Sequence, residues 1–191
     1  MTSCEFEGRD ALVAAIDDAV ALGDPEAITA CLRERLSALI ADPRVLLPEA
    51  VFRPAEGRYA RRLLHQSASH GYSVIAMTWG PGQGTLIHDH DGLWCVEGVW
   101  SGRIDVTPYD LLECDGQRAR FGSQPVIRAG RGSTGSLIPP FEHHTIRNPD
   151  DRETAVTVHV YSQAMNRCTV FEPAEDGWYQ RLQRELALEP Y

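Results

Sequence analysis

The chain has 191 residues, of which 43% are hydrophobic and 24% charged, and its formal net charge is −9. We expect residues 1–191 to form a single domain, because this length supports one full core and no Gly/Ser/Pro-rich linker interrupts it. The acidic balance, without a run of Lys or Arg, argues against nucleic acid and anionic membranes as partners.

The beginning of the chain and its cysteines indicate the compartment. The first ten residues are polar and acidic, and nowhere do about 18 apolar residues follow one another, so we expect a cytoplasmic protein without a membrane span. The sequence contains five cysteines and no CxxC pair. This odd number and spacing fit reduced thiols better than a disulfide framework or a cysteine zinc site.

The N-terminal segment, about residues 1–45, is predicted to be helical. Apolar residues recur at helical spacing from about 9 to 42, and Gly23 divides this stretch into two helices. Asp24 is a suitable N-cap for the second helix, and Pro25 a suitable first residue because the amide hydrogen that proline lacks has no partner there. Both helices are expected to pack outside the remainder of the fold.

From about residue 50 to 170 the pattern changes to that of a β-barrel. Short segments rich in Val, Ile, Thr, Tyr and Trp recur between Gly, Pro, Asn and Asp residues. The predicted strands are 58–65, 72–79, 85–90, 94–100, 103–112, 126–128, 135–139, 143–147 and 154–161. Their number and spacing are typical of an antiparallel barrel or jelly roll. The tail, residues 177–191, could hold a short helix, although its apolar pattern is weak.

Histidines in two of these strands have the spacing of a metal site. His88 and His90 project from one face of a strand while Asp89 points away, because side chains alternate along a strand. A second block, residues 139–148, brings one more imidazole from a different strand. Three neutral nitrogen ligands leave coordination positions open, which is the arrangement of a catalytic metal site and not of a closed structural one.

Both blocks resemble the paired motifs of the cupin superfamily. Cys95 stands where a typical cupin has its glutamate ligand, and Phe141 where the second motif has a glycine. Of the adjacent histidines, the motif spacing from Pro139 selects His144 as the ligand, and His143, on the opposite face, is expected to face solvent or to support the ligands. The resemblance implies a mainly β, cupin-type antiparallel barrel with the N-terminal helices packed outside.

Two further sets of polar residues lie on faces suited to a pocket. Thr157, His159 and Tyr161 share one face of a predicted strand, opposite a row of valines. Such a row either faces solvent or forms a hydrogen-bonded chain in a pocket, and the neighbouring histidines favour the pocket. Tyr59 and Arg61 share a face of the first strand, where a guanidinium inside a barrel is well suited to bind a carboxylate.

Together these positions sharpen the resemblance to the cysteine dioxygenase family of cupins. The similar positions span more than half of the chain, from Arg58 to Cys168. They are Tyr59-Ala-Arg61, Trp79-Gly80, Ile87-His-Asp-His90, Cys95, His144-Thr-Ile-Arg-Asn148, Val158-His-Val-Tyr161-Ser162 and Cys168. The resemblance implies an enzyme that oxidises L-cysteine with O2 to cysteine sulfinic acid, so the expected partners are a small-molecule thiol and O2.

The resemblance further implies how metal and substrate are bound. It implies one Fe(II) per chain, held by His88, His90 and His144. The carboxylate of cysteine would be bound by Arg61 and the Tyr161 hydroxyl, with Tyr59 beside them, while sulfur and amine bind the metal. An all-histidine site keeps the full charge of the metal, which favours a thiolate ligand.

A row of catalytic residues is implied next to the metal. In it His159 orients Tyr161, Thr157 supports His159, and Cys95 can form a thioether with Tyr161 that acts as a protein-derived cofactor. Thr157 replaces the serine usual in the family but keeps the hydroxyl. Gln163 stands where well-known animal members have a proline, so the pocket wall is expected to differ there.

Two other functions are compatible with these residues. The nearest is a 3-mercaptopropionate dioxygenase with the same iron chemistry, but its bacterial representatives generally lack both the cysteine at position 95 and the arginine at position 61, so the chain is closer to the cysteine enzymes. The other is a non-catalytic cupin that binds Zn or Ni as a ligand-binding or sensor protein. Such a protein would not need the polar row or Arg61. The sequence leaves the oligomeric state open.

Overall fold

The computed structural model describes residues 4–191 and begins with two helices. They are α1 (Arg9–Val20) and α2 (Pro25–Ala41), divided as the sequence predicts. The Asp24 carboxylate accepts a hydrogen bond from the Ala27 amide at 2.9 Å, which satisfies one of the amide groups left open at a helix start. In the described part of the chain no helix is both long and apolar enough to cross a membrane.

Twelve strands follow, in two antiparallel sheets that face each other, with short 3-10 turns at Glu49–Phe52 and Glu175–Gly177. The strands are β1 (Ala60–Gln66), β2 (Ser73–Trp79), β3 (Ile87–His88), β4 (Cys95–Ser101), β5 (Arg103–Cys114), β6 (Arg118–Ser123), β7 (Ile127–Gly130), β8 (Thr134–Leu137), β9 (His144–Arg147), β10 (Ala155–Tyr161), β11 (Arg167–Pro173) and β12 (Tyr179–Glu185). One sheet has the order β1-β2-β10-β4-β8 and the other β6-β12-β11-β3-β9-β5-β7. The predicted mainly β, cupin-type fold is confirmed.

The C-terminal part of the chain differs from the prediction. The tail forms strand β12 and not a short helix, so the helical interpretation of residues 177–191 was wrong. Strand β12 pairs with β11 along its whole length, but nearly all of its side chains are exposed. Its stability therefore comes from backbone pairing, which leaves no alternation of apolar residues in the sequence. Strands β6 and β11 were not predicted either.

The five-stranded sheet separates the helices from the interior of the barrel. Its outer face packs against α1 and α2, with Val74, Val96 and Val158 in contact with the apolar side of the helices. A side chain at Gly98 would lie 2.8 Å from Ile40 of α2, so glycine at this position allows the helix to approach β4 closely. The inner face carries the polar residues that the sequence places opposite these valines.

Candidate metal centre and adjoining pocket

Three histidines converge inside the barrel. His88 ends β3 and lies directly opposite His144, which begins β9. His90 follows two residues after His88, and one ligand nitrogen from each of the three lies within 4.8 Å of the others. His90 and His144 are fully buried. The structure thus brings together the three imidazoles that the strand spacing singled out.

Backbone carbonyls orient two of these imidazoles. Nδ1 of His88 lies 3.1 Å from the Leu86 oxygen, and Nδ1 of His144 lies 2.8 Å from the Glu142 oxygen. A carbonyl only accepts hydrogen bonds, so each Nδ1 carries the hydrogen and each Nε2 is left with its lone pair. Nε2 of His144 is buried without any hydrogen-bond partner. A buried lone pair of this kind, in a cluster of three, fits a bound metal ion.

The environment keeps His88 and His144 neutral. Burial, together with a smaller contribution from the neighbouring His90, lowers the pKa of His88 to about 3. Burial also lowers the pKa of His144 well below its usual value, with smaller contributions from the other two imidazoles. Neutral imidazole is the form that binds a metal, so the site is held ready for a cation.

Glu142 is a buried neighbour of the cluster that the sequence interpretation missed. Its Oε2 accepts a hydrogen bond from the His90 amide at 2.8 Å and lies 3.2 Å from Nδ1 of the same residue. Glu142 precedes His144 by two residues, so the alternation that selected His144 could also have identified Glu142. It fixes the position of His90, which lies outside a strand.

His143 lies outside the cluster. Its ring packs against Phe121 and Phe171, with centroid distances of 5.1 and 5.5 Å. It is partly buried on the opposite side of the strand from His144. The structure therefore separates the two adjacent histidines as the motif spacing predicts, although His143 contacts aromatic rings more than solvent.

The polar row of β10 lines the interior. Thr157, His159 and Tyr161 are all buried, and Thr157 Oγ1 lies 2.7 Å from Nε2 of His159. The Trp79 indole donates a second hydrogen bond to Thr157 at 2.9 Å. The rings of His159 and Tyr161 are stacked at a centroid distance of 5.9 Å and an interplanar angle of 12°. Trp79 thus also supports the row. The sequence indicated Trp79 only as one of the positions that carry the family resemblance.

Cys95 faces the same row from the neighbouring strand. It is directly opposite Tyr161 in the ladder of β4 and β10, and its sulfur lies 3.9 Å from Nδ1 of His159. Burial raises the pKa of both the Cys95 thiol and the Tyr161 hydroxyl well above their usual values. Both groups therefore keep their protons at neutral pH.

Arg61 brings a positive charge into the interior. The residue is 4% exposed, and one guanidinium nitrogen donates to the Met165 oxygen at 3.0 Å. Its Nε and Nη1 are buried and have no hydrogen-bond partner within the protein. Tyr59 lies on the same face, stacked on Trp79 at a centroid distance of 4.6 Å. A guanidinium with two unsatisfied donors is a suitable receptor for a carboxylate.

One cavity of about 260 Å³ joins these groups. It is lined by the three clustered histidines together with Tyr59, Arg61, His159 and Tyr161. The C-terminal tail forms part of its wall through Leu186, and the Glu189 amide donates to the Arg61 oxygen at 2.7 Å. The contribution of the tail had no signal in the sequence, because it depends on the pairing of β12. Cys168 also lines the cavity, as the resemblance suggested.

Comparisons with known proteins agree with this site. A profile of the cysteine dioxygenase type I family matches residues 49–174. The rat (Rattus norvegicus) cysteine dioxygenase type 1 is 25% identical over 115 residues, which cover 60% of this chain and 56% of the rat protein. The human protein gives the same identity and coverage. The chain therefore spans about half the length of the curated relatives it matches.

Solved structures with related folds are more distant. A Klebsiella pneumoniae protein with a double-stranded β-helix domain is 19% identical, with a TM-score of 0.46 over 63% of this chain and 85% of its own. A cupin from Desulfovibrio desulfuricans is 22% identical, with a TM-score of 0.44 over 62% of this chain and 94% of its own. The family profile covers more than half of the chain and contains every residue of the metal cluster and the polar row. The chain belongs to the cysteine dioxygenase type I family.

Proposed function

We propose that this protein is a thiol dioxygenase that converts L-cysteine and O2 into cysteine sulfinic acid, with one Fe(II) held by His88, His90 and His144. The observation that carries the proposal is a single cavity that contains both three neutral imidazoles and a buried guanidinium with unpaired donors. A structural metal site is closed by four protein ligands and does not require a buried guanidinium beside it. A small anionic substrate next to a metal uses both.

Arg61 would bind the carboxylate of the substrate. Its two unpaired nitrogens are buried in the cavity wall, where a carboxylate oxygen would satisfy them. Such a charge-assisted hydrogen bond is strong in a site closed to water and fixes the orientation of a small ligand. Tyr161, next to the cluster with its ring centroid 5.8 Å from that of His90, would donate a further hydrogen bond. Tyr59 would close the side of the pocket.

Fe(II), when bound, would supply the coordination positions at which a thiolate and dioxygen can react. The row on β10 would hold Tyr161 in place, because Thr157 fixes His159 and His159 stacks on the tyrosine ring. Cys95, opposite Tyr161, would form a thioether with it, in which the thiol and an aromatic carbon each lose one hydrogen to dioxygen. The buried phenol would then remain in one orientation through each turnover.

A second substrate, 3-mercaptopropionate, has one observation in its favour. It carries the same thiol and carboxylate as cysteine but no amine. No Asp or Glu is among the described residues that line the cavity, so an amine would find no anionic partner in the protein. Cysteine binding then depends on the metal to accept the amine. Whether the metal binds this amine therefore decides which thiol is the better substrate.

Metal analysis combined with oxygen uptake tests the proposal. The purified protein should contain about one iron per chain, consume O2 with L-cysteine and form the sulfinate. Equal or better turnover of 3-mercaptopropionate would identify that thiol, and not cysteine, as the substrate. Zinc or nickel in place of iron, without O2 uptake with any thiol even after loading with Fe(II), would instead indicate a non-catalytic metal-binding protein. Arg62→Gln is a suitable control for a substitution of Arg61, because Arg62 lies on the other face of β1, 3.2 Å from the Thr78 hydroxyl.

A further inference from the structure

Glu97 is a buried carboxyl group that the proposed reaction does not use. It follows Cys95 by two residues on β4, so both side chains point into the barrel. It lies directly opposite His159 in the ladder of β4 and β10. Only 7% of Glu97 is exposed. A carboxyl group is rarely buried to this extent without a partner, because removing its charge from water is unfavourable.

The imidazole of His159 faces Glu97. Oε2 of Glu97 lies 3.5 Å from Nδ1 of the imidazole, and Oε2 has no hydrogen-bond partner. Because Thr157 occupies Nε2, Nδ1 is the nitrogen left for proton exchange. Burial raises the pKa of Glu97 to about 7 and lowers that of His159 well below its usual value. Near neutral pH the two are therefore a carboxyl group close to its pKa and a neutral imidazole, and not a permanent ion pair.

Glu97 also borders a second cavity, on the other side of the row. This cavity has a volume of about 490 Å³, and most of its wall is apolar, including Val99, Ile104 and Leu137. It opens beside Phe141, which is 87% exposed. His159 lines the first cavity and Glu97 the second, so the pair connects the two.

The proposed reaction releases a proton that must leave the first cavity. The balance is R–SH + O2 → R–SO2⁻ + H⁺: the S–H and O–O bonds break, two S–O bonds form, the sulfur is oxidised and O2 is reduced, and the sulfinate product is ionised at neutral pH. Cys95 and Tyr161 hold their own protons, since burial raises the pKa of each. The imidazole of His159 is the remaining base of the row.

We propose that Glu97 is a positioning residue for His159 and the outlet for this proton. With Glu97 ionised, the thiol proton passes to Nδ1 of His159 and from there to Oε2, and Glu97 then releases it to water in the second cavity, which restores the carboxylate. The inference rests on the proposed thiol oxidation. It adds to that function a residue, and a route to solvent, on the side of the row away from the substrate.

The groups around Glu97 do not provide another route. Those that face it are Cys95 on its own strand, His159 and Tyr161 from β10, and Arg33, Arg128 and His144 across the second cavity. Burial is the cause of its raised pKa, with no charged neighbour contributing. The arginines are consequently too far away to hold Glu97 as a permanent anion, and its charge can follow the proton.

The first experiment compares Glu97→Gln with wild type, with Glu113→Gln on exposed β5 as the matched control. Glutamine keeps the shape but cannot carry the proton. We expect unchanged iron content, a KM for the thiol within about twofold, and a kcat about 100-fold lower, the lower end of what a proton-transfer group contributes. The wild-type kcat should rise with pH through about 7, where Glu97 ionises, and this rise should be absent in the variant. A Glu97→Gln enzyme with the wild-type pH profile would overturn the proposal.

Two measurements keep the test decisive if Glu97→Gln does not fold. A side chain added at Gly135 would lie 3.8 Å from Glu97, an ordinary contact, so Gly135→Val should exclude water beside the carboxyl without displacing it. It should lower kcat while the rise near pH 7 remains, and an unchanged kcat would contradict the proton outlet. Infrared spectra of the full chain should show a carboxylic-acid carbonyl band that titrates near pH 7 and shifts in His159→Gln.

The infrared result separates this inference from the proposed function. A band that shifts in His159→Gln, in a protein that oxidises no thiol, would support the proton-sharing pair and reject the dioxygenase activity. An active enzyme without such a band, or with a band that is the same in His159→Gln, would support the activity and reject the role of Glu97.

Discussion

The two cavities of the barrel differ in what lines them more than in size. The residues that line the smaller one, of about 260 Å³, have four buried nitrogens without a hydrogen-bond partner: Nε and Nη1 of Arg61, Nδ1 of His90 and Nε2 of His144. The larger one, of about 490 Å³, is mostly apolar, and of the described residues that line it only Glu97 and the shared His144 have a buried polar atom without such a partner. An unsatisfied buried polar group costs about 1–3 kcal/mol, so a fold that retains several in one place has a ligand to satisfy them. Unmet hydrogen bonds, and not volume, identify the reactive side of this molecule.

The largest effect should come from the metal cluster in the smaller cavity. His88→Ala, His90→Ala or His144→Ala should each reduce iron per chain to near zero, because loss of a ligand exceeds the roughly 10- to 100-fold loss of affinity typical when only a neighbour of a ligand is removed. His143→Ala is the matched control and should keep its iron, since His143 packs on Phe121 and Phe171. Full iron in His144→Ala with loss in His143→Ala would reverse the assignment.

Arg61→Ala should have the next largest effect. Removing one partner of a desolvated charge pair costs about 2–5 kcal/mol, so kcat/KM for cysteine should fall roughly 30-fold or more with iron content unchanged. Arg62→Gln, one residue along the strand but directed to Thr78, should leave kcat/KM within about twofold. The measurement is oxygen consumption over a range of thiol concentrations. Equal losses in both variants would point to general destabilisation of β1.

Much of this comparison could be predicted from the sequence. Side chains alternate along a strand, so the positions of His88 and His90 and the row ending at Tyr161 follow once the strands are recognised. The predicted strands correspond to β1–β5 and β7–β10. The choice of His144 over His143 came from motif spacing, and the structure separates the two, with His144 in the metal cluster and His143, just before β9, against Phe121.

The parts that could not be predicted depend on contacts between distant segments. Strand β12 is exposed and polar, so no apolar pattern revealed it, yet its continuation places Leu186 in the wall of the smaller cavity. Glu97 could not be identified from the sequence, because a glutamate two residues from Cys95 has no spacing that indicates a function. Its role depends on the register that sets it opposite His159, which is a property of the folded sheet.

The pH dependence of stability should report on the buried histidines of the metal cluster. His144 is fully buried with its pKa lowered by burial, so below about pH 6.5 the unfolded chain binds a proton that the folded chain does not. The stability of the metal-free protein should therefore fall as pH decreases from 6.5, by about 1.4 kcal/mol per pH unit for each such histidine. His144→Gln should reduce this slope by about that amount in denaturant unfolding at several pH values. Identical slopes would show that His144 is protonated in the folded protein.

The next prediction concerns a single covalent bond, the thioether between Cys95 and Tyr161. After turnover with thiol and O2, the intact mass should be lower by about two hydrogens and resist reduction. Cys95→Ala should lack this change, and Cys168→Ala, in the cavity that Tyr161 also lines, should keep it. Immobilising a side chain is worth about 0.5–1.5 kcal/mol, so Cys95→Ala should lose roughly 2- to 12-fold in kcat. A free Cys95 thiol in fully active wild-type protein would show that the crosslink is not needed.

The smallest effect is expected at the mouth of the larger cavity. Phe141 stands where the second motif usually has glycine, but its backbone does not need glycine, since it is not among the described residues with positive φ, and its ring is 87% exposed. Phe141→Gly should therefore change the free energy of unfolding by less than about 1 kcal/mol and leave iron content and kcat unchanged. Thermal unfolding and oxygen uptake would measure both. A large loss of activity in this variant would mean that the mouth of the larger cavity takes part in the reaction, and not only the part of its wall beside Glu97.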